Sequence, residues 1–213
     1  MTVDLAAMLH PDRTAVLTME MQRGVVGDLS TIEELALEVA RLNIINNAAG
    51  LLDAARRHGV RVVHCTAGFR PDLAGSSANS PLLAALTRHP ENLLVDSDAA
   101  QLVPQLGPAP SDLISSRLHG LSPFSGTALD ATLRRLGAQC LVVTGVSLNL
   151  GVLGLCLEAV NLGYQVVVAT DAVAGVPHSY AQAILDNTIS LLATRSDCLT
   201  IASAWDHRPS QHG

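Results

Sequence analysis

The sequence predicts a single doubly wound α/β domain, in which helices cover both faces of a six-stranded parallel sheet. Short apolar runs alternate along the chain with segments of helical periodicity, as such a sheet requires. The 213 residues are 48% hydrophobic and 15% charged, which suits one domain with a sizeable core. No repeat or long linker divides the chain, so residues 1–205 are assigned to the domain and residues 206–213 to a polar tail.

Each element is predicted from an apolar run or a capping signal. The first long helix is predicted to begin near Ser30, which has capping-box spacing to Glu33, and to end at Gly59. Its apolar residues recur every three or four positions, which indicates one buried face. Further helices are predicted at residues 127–136, 149–162 and 179–194. The strands are predicted at residues 14–19, 60–66, 112–116, 139–144, 164–170 and 198–202.

Composition and local patterns argue against several classes of protein. The net charge of -6 gives no basic surface for nucleic acid, and the apolar runs are too short to span a membrane. The chain starts without a signal-peptide pattern, so a cytoplasmic protein is expected. The segment QRGVVG at residues 22–27 lacks the G-x-G-x-x-G pattern, and we expect no nicotinamide cofactor. Four cysteines without C-x-x-C spacing are predicted to be reduced core residues: Cys65, Cys140, Cys156 and Cys198.

The position of a ligand site follows from the fold class. Ligands of doubly wound sheets bind beyond the carboxyl ends of the strands. In this sequence that rule selects Glu20, the loops at residues 66–71 and 117–124, the turn at residues 145–151, and Asp171.

Three further side chains have two interpretations each. Phe69 and Phe124 lie in the selected loops, where each is as compatible with core packing as with a pocket wall. His64 lies late in the second strand, and a hydrogen-bonded core histidine is the expected role.

Four segments in the same order resemble the isochorismatase-like superfamily of cysteine hydrolases. They are TAVLTMEMQ at residues 14–22, SPFSGTALD at 122–130, VVTGV at 142–146 and GYQVVVATDAVAG at 163–175. Together with the alternation of strands and helices, the resemblance implies the strand order 3-2-1-4-5-6. It also implies a cis peptide bond near Val146-Ser147 and a homodimer or larger homo-oligomer.

The resemblance implies an Asp-Lys-Cys catalytic triad, and this sequence differs at all three positions. Glu20 stands at the aspartate position, and Gly151 stands at the cysteine position. Counting back six residues from Phe124 places Leu118 at the lysine position. Amide hydrolysis through a thiolate is therefore not expected, because glycine offers no nucleophile. Cys156, five residues beyond Gly151, is expected to face into the core rather than to replace the missing cysteine.

The isochorismatases proper also resemble this sequence, and they commonly carry glycine at the cysteine position. Their vinyl-ether hydrolysis needs a proton donor and water, so the resemblance implies that Glu20 acts as general acid or base. Arg117 and His119 flank Leu118, and either takes the place of the lysine only if the loop is irregular, because neighbours in an extended segment point to opposite faces. Zinc-binding relatives have an Asp-x-His pattern that the segment HCTAGFRPD at residues 64–72 lacks, so no metal is expected.

Two functions remain open at this point. The first is a hydrolase of a small organic substrate, with Glu20, Arg117 and His119 as catalytic residues. The second is an inactive relative that only binds a ligand or a protein partner. An open pocket with Glu20 in its wall favours the hydrolase, and a pocket plugged by Leu118 or Phe69 favours the inactive relative. The predicted substrate-binding residues are Gln22, Phe69, Leu118, Phe124, Ser147, Asn149 and Gly151.

Overall fold

The computed structural model describes residues 4–206, so residues 207–213 of the predicted polar tail lie outside the described residues. The strands are β1 Thr14–Met19, β2 Arg61–Ala67, β3 Leu113–Arg117, β4 Cys140–Val146, β5 Gln165–Ala174 and β6 Thr194–Ser196. Every neighbouring pair is parallel, in the order β3-β2-β1-β4-β5-β6. The predicted fold class and strand order are confirmed.

The helices lie on both sides of this sheet. They are α1 Leu5–Met8, α2 Arg23–Val26, α3 Glu33–Arg41, α4 Ile44–Arg57, α5 Pro81–Leu86, α6 Leu129–Arg135, α7 Leu153–Asn161, α8 His178–Ile184, α9 Ser190–Leu192 and α10 Cys198–Asp206. Within residues 4–206, no helix has the length and apolar character that a membrane crossing demands.

Alternate side chains of the four inner strands β1, β2, β4 and β5 enter two separate cores. Val16 and its neighbours pack with residues of α4 and α10 on one face of the sheet. Leu17 and its neighbours pack with residues of α6 and α7 on the other. Cys156 on α7 is fully buried in this second core, as predicted. The doubly wound arrangement follows from this alternation, because a strand buried on both faces needs apolar residues at every position.

The predicted helix from Ser30 to Gly59 is wrong as a single element. It is divided into α3 and α4 at Asn43, whose φ of 56° lies in the left-handed region that asparagine tolerates. The predicted capping box is also wrong. Ser30 Oγ instead donates to Val25 O at 2.7 Å and accepts from the Ile32 N–H at 3.1 Å, and it closes a turn before α3 begins.

The predicted sixth strand at residues 198–202 is wrong in position. The strand is Thr194–Ser196, and residues 198–206 form α10. Asp197 begins the helix, because its carboxylate accepts from the Thr200 N–H at 2.8 Å. Ile201 and Trp205, four residues apart, are both buried, so the apolar period is helical.

His64 on β2 belongs to a buried polar network, which confirms the interpretation as a core histidine. Its Nδ1 lies 2.8 Å from Thr18 Oγ1, and its Nε2 lies 3.2 Å from Asp112 Oδ2. Asp112 also accepts from Arg56 Nη2 at 2.7 Å and from the Ala109 N–H at 2.9 Å. Burial lowers the pKa of His64, and the hydrogen bond to Asp112 only partly opposes that shift.

The lowered pKa of His64 predicts a pH-dependent free energy of unfolding. The imidazole of an unfolded histidine has a pKa of about 6.5, whereas the pKa of the folded His64 is lowered, so the folded state binds this proton less readily. The unfolded state therefore binds more protons below that pH, and stability should fall as the pH is lowered from neutral through this window. Urea unfolding at several pH values should show a smaller loss for His64→Gln than for the wild type. If the free energy of unfolding falls equally with pH in the two proteins, His64 is not the source of the pH dependence.

Candidate functional site

Glu20 follows β1 directly and lies at the carboxyl end of the sheet. Its φ of 53° is in the left-handed region, and its N–H donates to Cys65 O at 2.9 Å. The side chain is 20% exposed and lines a cavity of about 410 Å³. The sequence thus places a carboxylate where ligands of this fold class bind.

Arg117, the last residue of β3, forms an ion pair with Glu20. Its Nη2 donates to Glu20 Oε1, although β2 lies between the two strands that carry these residues. The guanidinium also donates to Gly120 O at 3.1 Å from Nε and to Thr66 O at 3.5 Å from Nη1. With a side-chain exposure of 4%, Arg117 is held inside the protein with three acceptors around it.

The structure places Arg117, rather than Leu118, beside the carboxylate. The sequence predicts Leu118 at the lysine position, and in an extended segment Arg117 points to the opposite face from Leu118. In the structure β3 ends at Arg117 and the chain bends through Gly120, whose φ is 81°. The cavity around Glu20 is consequently lined by three successive residues, Arg117, Leu118 and the exposed His119.

Gly151 lies in a helical turn, Leu148–Val152, that follows β4 and precedes α7. It is buried and lines the same cavity. A Cβ atom at this position would lie 2.7 Å from Met19 Cε, the flexible end of a side chain, so a larger residue here would require the methionine to shift. The peptide bond between Val146 and Ser147 is cis, as predicted.

Two predicted substrate-binding residues beside Gly151 also line the cavity. Ser147 Oγ donates to Asn149 Oδ1 at 2.9 Å, and Asn149 Nδ2 donates to Val176 O at 3.4 Å. Phe69 also lines the cavity and is half-buried. The cavity stays open beside both Phe69 and Leu118, so neither side chain plugs it.

The structure does not bring Gln22 and Phe124 to this cavity. Gln22 is fully buried; its Oε1 accepts from the Ala67 N–H at 2.8 Å, and its Nε2 donates to Ala67 O at 2.8 Å. It therefore fixes the backbone of Ala67, which does line the cavity. Phe124 stacks on Tyr164 with ring centroids 6.2 Å apart and belongs to the core.

Sequence reasoning missed the apolar wall that α5 supplies. Leu82, Leu83 and Leu86 of this short helix all line the cavity. No helix is predicted from the sequence between the second and third strands. The signal was nevertheless present, because Ser80 precedes Pro81 and its Oγ accepts from the Leu83 N–H at 3.2 Å, which is a typical helix start.

The cysteine thiols are poor candidates for a nucleophile. All four are free and buried. Burial raises the pKa of Cys65, Cys140 and Cys156 to about 12, and that of Cys198 is raised as well. They are thus thiols, not reactive thiolates, near neutral pH.

In the part of the chain that the structure describes, no group of three or more His, Cys, Asp or Glu residues is placed to hold a metal ion.

Comparison with known proteins points to one family. A family model described as the isochorismatase domain matches residues 14–197. The uncharacterized isochorismatase family protein YwoC of Bacillus subtilis (strain 168) is 29% identical over 163 residues, which cover 75% of this chain and 77% of that protein. The ureidoacrylate amidohydrolase RutB of Rhizobium rhizogenes (strain K84) is 29% identical over 92% of this chain and 86% of its own length. The crystal structure of a cysteine hydrolase from Pseudomonas syringae pv. phaseolicola 1448A matches with a TM-score of 0.76 and 22% identity, over 92% of this chain and 94% of that one.

Proposed function

This chain belongs to the isochorismatase family of hydrolases, and we propose that it hydrolyses a small organic molecule through Glu20 without a cysteine nucleophile. One observation carries the proposal. The Glu20 carboxylate, paired with Arg117, lines an open cavity next to Gly151, where a nucleophilic side chain is absent.

The proposed reaction needs only water and the ion pair. Glu20 accepts a proton from water while the water oxygen attacks the electrophilic carbon of the substrate. The resulting carboxylic acid then returns this proton to the leaving group, so the carboxylate is regenerated and one water molecule is consumed. Arg117 holds the carboxylate in place, and His119 in the same wall can donate a hydrogen bond to a substrate oxygen on which negative charge develops.

The other cavity residues have supporting roles in this proposal. Ser147 and Asn149 offer polar groups near Gly151, and Phe69 and Leu118 contact the body of the substrate. His119 is exposed at the cavity wall, where it can hydrogen-bond a polar group of the substrate.

The alternative, an inactive relative that only binds a ligand, has less support. Neither Phe69 nor Leu118 closes the cavity, and one fifth of the Glu20 side chain is accessible. The relative described as a ureidoacrylate amidohydrolase makes amides the first bonds to test, followed by esters.

Cysteine substitution tests the non-covalent mechanism. Cys65→Ala and Cys156→Ala should leave kcat nearly unchanged on neutral p-nitroanilides and p-nitrophenyl esters of short carboxylic acids. Cys65 is the more demanding case, because its electrostatic environment includes both Arg117 and Glu20. Cys140→Ala is the matched control, since this buried thiol has no such neighbours. A folded Cys65→Ala or Cys156→Ala protein that has lost activity, beside an active Cys140→Ala protein, would overturn the proposal.

A further inference from the structure

We infer that the substrate of this site is an uncharged, hydrophobic molecule, and that the site discriminates against carboxylates. The inference rests on the proposed function for the identity of the site. It concerns the substrate class, which neither the family match nor the catalytic proposal specifies.

The charge balance of the cavity is the first argument. Among its described lining residues, Glu20 and Arg117 are the only ones with a carboxylate, ammonium or guanidinium group, and they pair with each other. Arg117 has little freedom to bind a substrate anion, because it also donates to Gly120 O and Thr66 O. His89 and His119 also line the cavity; apart from these imidazoles, the wall offers neither a free cation for a carboxylate nor a free carboxylate for an amine.

The aliphatic wall is the second argument. Four lining side chains are large aliphatic residues that remain exposed: Ile32 at 39%, Leu82 at 38%, Leu86 at 37% and Leu150 at 41%. They come from three separate segments and converge on one cavity, which indicates a surface that a ligand covers. Burial of this apolar area stabilises a complex with a hydrophobic ligand.

The volume fits the same class of ligand. About 410 Å³ lies within the range of roughly 300–1,000 Å³ that small-molecule sites occupy. A charged group that entered this cavity would lose water without gaining an ionic partner, which is strongly unfavourable. A neutral amide or ester loses less, because Ser147, Asn149 and His119 can satisfy its polar atoms.

A binding assay tests the inference without any turnover. The probe is the neutral dye N-phenyl-1-naphthylamine, whose fluorescence rises in an apolar site, at about pH 8 so that histidines are mostly uncharged. Benzamide and hexanamide should displace it, and benzoate and hexanoate should be weaker competitors by on the order of 100-fold. Carboxylates that compete as well as the matched amides would overturn the inference.

Two charge variants make the test sharper. Leu86→Arg adds a cation to the wall and should strengthen benzoate binding, whereas Leu37→Arg, at a 71% exposed position outside the cavity, should not. Glu20→Gln removes the negative charge that balances Arg117, so the positive charge of the guanidinium is no longer compensated and benzoate should bind more tightly. If neither cavity variant changes the preference between amide and carboxylate, the charge argument fails.

The outcomes separate this inference from the proposed function. If Glu20 is not catalytic, Glu20→Gln keeps its activity while the preference of the wild type for neutral ligands remains. If the exposed leucines instead bind a second copy of this chain, Leu86→Arg lowers the molecular mass in solution and leaves benzoate affinity unchanged. That result would overturn the inference.

Discussion

Replacement of Glu20 by glutamine is expected to lower kcat by about 10²–10⁴-fold, the usual contribution of a positioned proton-transfer group. Glutamine has nearly the same shape and can still accept a hydrogen bond from Arg117, but it cannot accept and return a proton. The loss should therefore appear in kcat more than in KM. Initial rates on the fastest neutral p-nitrophenyl ester, with the wild type and the variant at equal concentration, provide the measurement.

Glu38→Gln is the matched control for this substitution. Glu38 is also a paired, largely buried carboxylate: its side chain is 11% exposed and its Oε1 accepts from Arg41 at 2.8 Å. It does not line the cavity around Glu20, so its replacement should leave kcat unchanged. Full activity of Glu20→Gln, or an equal loss in both variants, would contradict a catalytic role for Glu20.

The largest effect on stability is expected for Gly145→Ala. Gly145 lies in β4 beside β1, with a φ of 103°, and a Cβ there would collide with Met19 O and lie 2.7 Å from Met19 N. Both atoms belong to the backbone of a central strand and cannot move aside. We expect a loss above about 4 kcal/mol in the free energy of unfolding, or failure to fold.

Gly163→Ala is the control that separates the cost of a positive φ from the cost of the steric collision. Gly163 has a φ of 89°, which an alanine also adopts with strain, but a Cβ there meets no atom within 4 Å. Its cost should stay at roughly 1–3 kcal/mol in urea unfolding. If Gly145→Ala costs no more than Gly163→Ala, the close approach of β1 and β4 at this position is not what requires glycine.

The strands that carry the site could be predicted because burial on both faces leaves continuous apolar runs. The first strand was placed at residues 14–19 as the structure has it. The sixth was misplaced because a run of five residues cannot distinguish a strand from one turn of an apolar helix, and only the distant Trp205 reveals the helical period. The break at Asn43 could not be predicted from the apolar pattern, because the spacing of apolar residues continues from α3 into α4.

A site residue could be predicted where its place at the end of a strand determines its place in the fold. Glu20 follows the end of a strand, and the fold class then fixes its place at the ligand-binding edge. The contact between Arg117 and Glu20 does not follow from the sequence, because it depends on a bend after β3 and on a long side chain that reaches past β2. The α5 wall was missed because a short helix inside a loop rich in turn residues gives little periodicity.

The intact mass of the protein during turnover tests the central claim, hydrolysis without a covalent intermediate, most directly. The wild type is mixed with its fastest p-nitrophenyl ester, quenched at times shorter and longer than one turnover, and analysed by mass spectrometry. We predict that the protein mass stays unchanged at every time point while p-nitrophenol accumulates without a burst. A fraction of protein heavier by the acyl group, above all with the label on Cys65, would contradict the account.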